Sequence, residues 1–162
     1  MSREPDNLVR AVLTDPVNFL AFGFGSGLAP VAPGTFGSIP GLVLFWLTLD
    51  LGPYVQLAIA AGLVGAGIWL CGESARRIGV HDHGGIVWDE IAGMYITLFA
   101  APVTAFGFAA AFVLFRVADI AKPWPIRDLD HRIHGGLGIM LDDLGAALYA
   151  ALILALYGWL MT

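Results

Sequence analysis

The uncharged stretch Ile91-Ala92-Gly93-Met94-Tyr95-Ile96-Thr97-Leu98-Phe99-Ala100-Ala101-Pro102-Val103-Thr104-Ala105-Phe106-Gly107-Phe108-Ala109-Ala110-Ala111-Phe112-Val113-Leu114-Phe115 decides the fold, and Pro102 at its middle decides how it is read. A proline inside a helix removes a backbone hydrogen bond and clashes with the preceding turn. The segment is therefore one kinked helix or two short helices joined at Ala101-Pro102-Val103-Thr104. Two other apolar stretches, 39–71 and 144–161, flank it. The first breaks at Asp50-Leu51-Gly52-Pro53, a turn signature. Its second half, Tyr54 to Cys71, approaches the ~20 residues that span a bilayer, whereas Ile39 to Leu49 is too short to span alone.

The polar stretches are 1–38, 72–90 and 116–143. They hold every basic residue (Arg3, Arg10, Arg76, Arg77, Arg116, Lys122, Arg127 and Arg132), all four histidines, and every acid but Asp50. If 39–71 and 91–115 are both hairpins, all three polar stretches emerge on one side, as the bias of Lys and Arg toward the cytoplasm prefers. If 91–115 crosses once, the segment with four of the eight basic residues goes to the opposite side. The expectation is an all-α, compact polytopic membrane bundle: two Pro-marked helical hairpins, 39–71 and 91–115, and a C-terminal helix. A soluble, very apolar helical bundle is the alternative, since apolar runs of 10–14 residues are often core helices.

Composition supports the membrane class. Hydrophobic residues are 58% and charged residues 13% of the 162, against about 25% charged in ordinary soluble domains. The mean hydropathy is +0.79. One domain is expected over 1–162, with a polar N-terminal segment at 1–17 and no cleavable signal peptide. The net charge of −5 argues against a nucleic-acid partner. The single cysteine, Cys71, excludes an intramolecular disulfide.

The first polar stretch contains Gly23-Phe24-Gly25-Ser26-Gly27-Leu28-Ala29-Pro30-Val31-Ala32-Pro33-Gly34-Thr35-Phe36-Gly37-Ser38. If Thr35 to Ser38 opens the next helix, its free N–H groups and dipole favour an anion, and Ser26, Thr35 and Ser38 add hydroxyls. An ordinary cap and turn is the equal alternative. The second stretch ends in Asp89-Glu90 at the mouth of an apolar helix. The third carries Arg116, Asp119 and Lys122 at spacings of three, which can share a helix face, then Pro123 and Pro125, and later Asp142-Asp143 beside another apolar segment.

Asp89, Glu90, Asp119, Asp142 and Asp143 thus lie at the ends of three apolar segments. Gathered uncompensated they would repel strongly, and a hard divalent cation such as Mg²⁺ resolves that with carboxylate oxygens and a substrate phosphate. Arg116, Lys122 and Arg127 would neutralise phosphate charge. Acids for metal and bases for phosphate are the needs of phosphoryl transfer. Helix caps and interfacial salt bridges are the plainer alternative.

Three blocks together resemble the phosphatidylglycerophosphatase A family: Gly25 to Ser38; Ile86-Val87-Trp88-Asp89-Glu90-Ile91-Ala92-Gly93; and the run from Phe115 to Asp143 containing Lys122-Pro123-Trp124-Pro125-Ile126, Gly135-Gly136 and Ile139-Met140-Leu141-Asp142-Asp143. The resemblance covers about 18–160. It implies a multi-pass enzyme of the bacterial inner membrane, active on its cytoplasmic face, that removes the terminal phosphate of phosphatidylglycerophosphate with Mg²⁺. Asp89, Glu90, Asp142 and Asp143 are then expected metal ligands, with Asp89, Glu90 and Asp119 catalytic. Asp119 would be a ligand or general base, an aspartyl-phosphate on it being the other route. Lys122, Arg116, Arg127, Ser26, Thr35 and Ser38 would bind substrate. Ala118 and Ala146-Ala147 depart from the family's usual residues and read as packing changes.

Cys71-Gly72-Glu73-Ser74-Ala75-Arg76-Arg77 fits Cys-x5-Arg, but that chemistry needs a strand–loop–helix cradle, and no strand pattern precedes Cys71. Asp128-Leu129-Asp130 is discounted as an aspartyl-phosphate motif for the same reason. His81 and His83 read as surface residues before proton donors. A transporter or lipid-binding protein is the rival class, although its ionisable groups would belong in mid-span.

Overall fold

Proline and glycine punctuate the chain where the helices begin and end. The structure is a computed structural model and describes residues 4–80, 83–124, 126 and 135–160. The helices, in order, are α1 (Glu4–Thr14), α2 (Pro16–Ala21), α3 (Pro33–Leu47), α4 (Pro53–Ile78), α5 (Trp88–Thr97), α6 (Ala105–Ala121) and α7 (Gly136–Leu160). Short 3-10 turns occupy Gly23–Leu28, Leu49–Leu51 and Leu98–Ala100. Among the described residues there is no strand, so the all-α expectation holds.

Local chemistry explains these boundaries. Pro16, Pro33 and Pro53 each stand at the start of a helix, where the missing N–H costs nothing. Asp15 caps α2 by accepting from Val17 N at 2.9 Å and Asn18 N at 3.2 Å. Its carboxyl feels burial, which pushes the pKa up. The Asn18 N–H, the Arg77 guanidinium and the Val17 N–H outweigh that and hold it below the ordinary aspartate value. Thr104 caps α6 by accepting from Gly107 N at 3.0 Å. α4 stops at Gly79, whose φ of 79° is left-handed and whose N–H donates to Ala75 O. Lys122 ends α6 in the same left-handed region, with φ 41°, immediately before Pro123.

Both expected hairpins are present, with longer arms than the apolar runs indicated. The first turns through 48–52, but α3 begins at Pro33 and not at Ile39, and α4 continues past Cys71 to Ile78. Hydropathy missed these extensions because the added turns are polar or glycine-rich. The second hairpin turns at Ala101–Thr104, where Ala101 is extended, so Pro102 lies in a turn between two helices and not in a kinked one. The chain returns to its starting side: Arg116 Nη1 near the end of α6 is 3.8 Å from Glu90 Oε1 at the start of α5. α7 likewise begins at Gly136 and not at Leu144, which places Asp142 and Asp143 in its second turn.

α5 is the central element, packed by α3, α4, α6 and α7, and its Ile91, Ala92, Met94 and Tyr95 are buried. The helices approach closely through small residues, as membrane helices do. A Cβ on Gly136 would lie 1.9 Å from Ile68 O and 2.7 Å from Gly72 N, so α4 and α7 meet backbone to backbone. Gly136→Val is expected to lower stability by about 1–3 kcal/mol through overpacking. Thermal unfolding in detergent would register this, and an unchanged transition would contradict the packing described.

α4 and α7 are long and apolar enough to cross a membrane, and α3 is a shorter apolar helix. The outer surface of the bundle is apolar, with Trp46, Tyr54, Leu57, Trp69, Phe106, Leu152, Leu156 and Trp159 all exposed. Exposed apolar area on this scale marks a membrane or protein contact, and together with the two long helices it supports membrane association.

Candidate active site

The hairpin geometry brings four helix ends to one place. α5 presents Asp89 and Glu90 in its first turn, where the helix dipole favours negative charge. α6 ends beside them with Arg116 and Asp119, followed by Lys122. α7 contributes Asp142 and Asp143 from its second turn. The start of α3 closes the group: a Cβ on Gly34 would lie 2.2 Å from Glu90 Oε1 and 2.9 Å from Arg116 Nη2.

Asp89, Glu90, Asp119, Lys122, Asp142 and Asp143 line one cavity of about 90 Å³, with Gly84, Ile86 and Ile139 as its remaining walls. Asp89 is 8% and Asp143 3% exposed. Arg116 Nη1 pairs with Asp119 Oδ2 at 2.5 Å, and Lys122 Nζ pairs with Asp142 Oδ2. The left-handed backbone at Lys122 follows the last turn of α6, and its ammonium bridges that helix end to α7.

Carboxylate oxygens of Asp89, Glu90 and Asp143 lie within 4.8 Å of one another. Two unit charges at that distance repel by about 3–4 kcal/mol at an effective dielectric of ~20. Five carboxylates here face two basic side chains, Arg116 and Lys122, among the described residues. Glu90 Oε2 and Asp143 Oδ1 are buried with no hydrogen-bond donor. A buried carboxylate oxygen without a donor is costly, and a cation supplies what the donors do not. The three residues could hold a metal ion. The donor set, oxygen only, fits a hard divalent cation.

The other expected site residues are placed differently. Ser38 is fully buried in α3, and its hydroxyl donates to Gly34 O at 2.8 Å, a bond within the helix. Ser26 donates to Gly23 O at 2.8 Å and lines a separate apolar groove. Thr35 sits half-buried in the first turn of α3, one residue from Gly34. Arg127 and His81, like Asp128 and Asp130, lie outside the described residues. His83 Nδ1 accepts from Gly85 N at 3.0 Å and shapes the turn before α5. Sequence reasoning gave Gly34, Gly84, Ile86 and Ile139 no role in the site, Gly34, Ile86 and Ile139 appearing only inside the blocks of the resemblance.

The Cys-x5-Arg reading has no cradle. Cys71 is fully buried inside the continuous helix α4, and Arg77 pairs with Asp15 and Glu73, each at 2.7 Å.

The family model described as Phosphatidylglycerophosphatase A matches residues 19–157. A protein of Escherichia coli (strain K12) named Phosphatidylglycerophosphatase A is 46% identical over 152 residues, covering 92% of this chain and 87% of its own length. One of Haemophilus influenzae with the same name is 44% identical over 161 residues, covering 98% of this chain and 99% of its own. No solved structure matches.

Proposed function

Because the chain belongs to the phosphatidylglycerophosphatase A family, we propose that it hydrolyses the terminal phosphomonoester of phosphatidylglycerophosphate to phosphatidylglycerol and inorganic phosphate, in phospholipid biosynthesis, with Mg²⁺ as cofactor. The observation that carries this reading is the convergence of Asp89, Glu90 and Asp143, from two helices, on one spot beside Arg116 and Lys122.

Asp89, Glu90 and Asp143 would hold the ion, with Asp142 turned to Lys122. When bound, Mg²⁺ polarises the phosphoryl oxygens and offsets the charge that builds on them during transfer. Arg116 offers a planar fork of donors to the phosphate, and Lys122 a point charge on its other side. Arg116 also holds Asp119 Oδ2, which fixes that carboxylate at the wall of the cavity. Asp119 Oδ1 accepts the proton of the attacking water, and the leaving alkoxide takes a proton from solvent at the headgroup surface. Attack by Asp119 itself would leave a phosphoenzyme. Acid quench after a short pulse of labelled substrate distinguishes the two: no labelled protein is expected, and a labelled Asp119 would replace this step.

The basic residues support an orientation. Arg76, Arg77, Arg116 and Lys122 all stand at helix ends on the acid side of the bundle. Positive charge favours the cytoplasmic face, so the site opens there, in the inner membrane of a bacterium, within reach of headgroups.

Phosphate release from the purified protein on phosphatidylglycerophosphate micelles tests the proposal. Activity is expected with Mg²⁺, to be lost on chelation and to return when Mg²⁺ is restored. Equal release in chelator, or none in either condition, would overturn it. Cys71→Ser is expected to keep the wild-type rate within a few-fold, because the thiol is buried in α4 and is no part of the acid cavity's lining; abolished turnover in a folded variant would revive a thiolate mechanism.

A further inference from the structure

One groove has no part in the chemistry above. It is an open, apolar trough of about 500 Å³ whose walls include Leu28, Ala29, Phe36, Ile39 and Pro40. One wall is the 3-10 turn Gly23–Leu28 and the other is the first two turns of α3.

Both walls abut residues at the rim of the acid cavity. A Cβ on Gly27 would lie 2.0 Å from Gly85 O, so the turn rests directly on the segment whose Gly84 and Ile86 line that cavity. On the other wall, Gly34 abuts Glu90 and Arg116. Phe36, Ile39 and Pro40 follow along the same helix, roughly 3–9 Å further at ~1.5 Å per residue. The direction is away from the charged end and toward the apolar far end of the bundle. The trough is shaped by backbone held in place: Phe24 and Ala32, one in each flanking segment, have φ of 58° and 48°, values that L side chains adopt only when their surroundings impose them.

In phosphatidylglycerophosphate a glycerol and a phosphodiester separate the terminal phosphomonoester from the acylated glycerol, so with the phosphomonoester in the acid cavity the acyl chains enter the apolar layer beyond it, in the direction in which the groove runs. We infer that the groove seats an acyl chain of the lipid substrate next to its glycerol, making Ala29, Phe36 and Ile39 determinants of selectivity for acylated over water-soluble phosphomonoesters. The inference rests on the phosphatase reading of the acid cavity.

Ile39→Trp and Ala29→Leu fill the groove without touching the acids. Rates are measured on dioleoyl phosphatidylglycerophosphate in micelles and on the same headgroup without acyl chains, glycerophosphoglycerophosphate. Both variants are expected to lose about tenfold in kcat/KM on the dioleoyl lipid, mainly through KM, the equivalent of roughly two methylenes no longer buried. The deacylated substrate should be turned over at the wild-type rate. Val103→Trp, in a second apolar groove beside Trp46 and Phe108, should change neither rate. Equal losses on both substrates, or none on either, overturn the acyl seat and leave the phosphatase reading standing. A wild-type protein inactive on both overturns the two together.

Discussion

Asp89→Asn is expected to lower phosphate release by about three orders of magnitude, equivalent to roughly 4 kcal/mol of transition-state stabilisation, while the protein folds as well as the wild type. The two halves of this expectation have one origin. Asp89 is 8% exposed at the start of the most buried helix, with carboxylate oxygens of Glu90 and Asp143 within 4.8 Å. Without a cation, each pair of charges repels, so neutralising one relieves the folded state. With a cation, the same substitution removes a ligand. The metal-free variant should therefore unfold at the same temperature as metal-free wild type or higher, and Mg²⁺ should raise the wild-type transition more than the variant's, as binding to the native state requires. Groups placed for function at a cost to stability behave in this way. Full activity in folded Asp89→Asn would remove the metal site as drawn.

Gly34→Ala is expected to cost at least tenfold in activity with little change in stability, on the order of the 10–100-fold that displaced supports of a metal ligand cost. The added Cβ would sit 2.2 Å from Glu90 Oε1 and 2.9 Å from Arg116 Nη2. Both are the far ends of flexible side chains, so the fold can absorb the methyl by moving them. The site cannot, because Glu90 leaves the cluster with Asp89 and Asp143, and Arg116 leaves the position from which it holds Asp119. Gly41→Ala is the contrast: its Cβ would lie 2.4 Å from Ile91 O, which is backbone, so stability should fall there first. Kinetics beside thermal unfolding on the two variants separate the effects, and a Gly34→Ala protein with wild-type turnover would show that Glu90 need not stay where it stands.

The parts of this arrangement that were legible in the sequence are those fixed by charge and by proline. Pro102 and the 50–53 turn marked the hairpins, and parity then brought Asp89-Glu90, Arg116, Asp119 and Asp142-Asp143 to one end. What was not legible depended on helix phase and on packing. Adjacent residues on a helix point about 100° apart, so Asp143 faces Asp89 and Glu90 while Asp142 turns to Lys122; a pair of aspartates in a sequence does not say which is which. Ser38 was expected to offer its hydroxyl to an anion from the opening turn of a helix begun at Thr35. The helix opens two residues earlier, at Pro33, which places Ser38 one turn beyond Gly34 and bonds it to that residue's carbonyl. The Gly135-Gly136-Leu137-Gly138 tract carries no apolar run that would start a helix there, and glycine costs about 1 kcal/mol per helical position. Close packing of α7 on α4 overrides that cost, because only glycine lets Gly136 reach Ile68 O.

The central claim is that acids on α5 and α7, brought together by the return of the chain at Pro102, hold one divalent cation between them. Titrating purified protein with Mn²⁺, a paramagnetic stand-in for Mg²⁺, and counting bound ions by electron paramagnetic resonance tests it in wild type, Asp89→Asn and Asp143→Asn. The account predicts tight binding in wild type that weakens by at least tenfold in either variant, since each removes a ligand of the same ion. Undiminished Mn²⁺ binding in either folded variant would contradict a shared site.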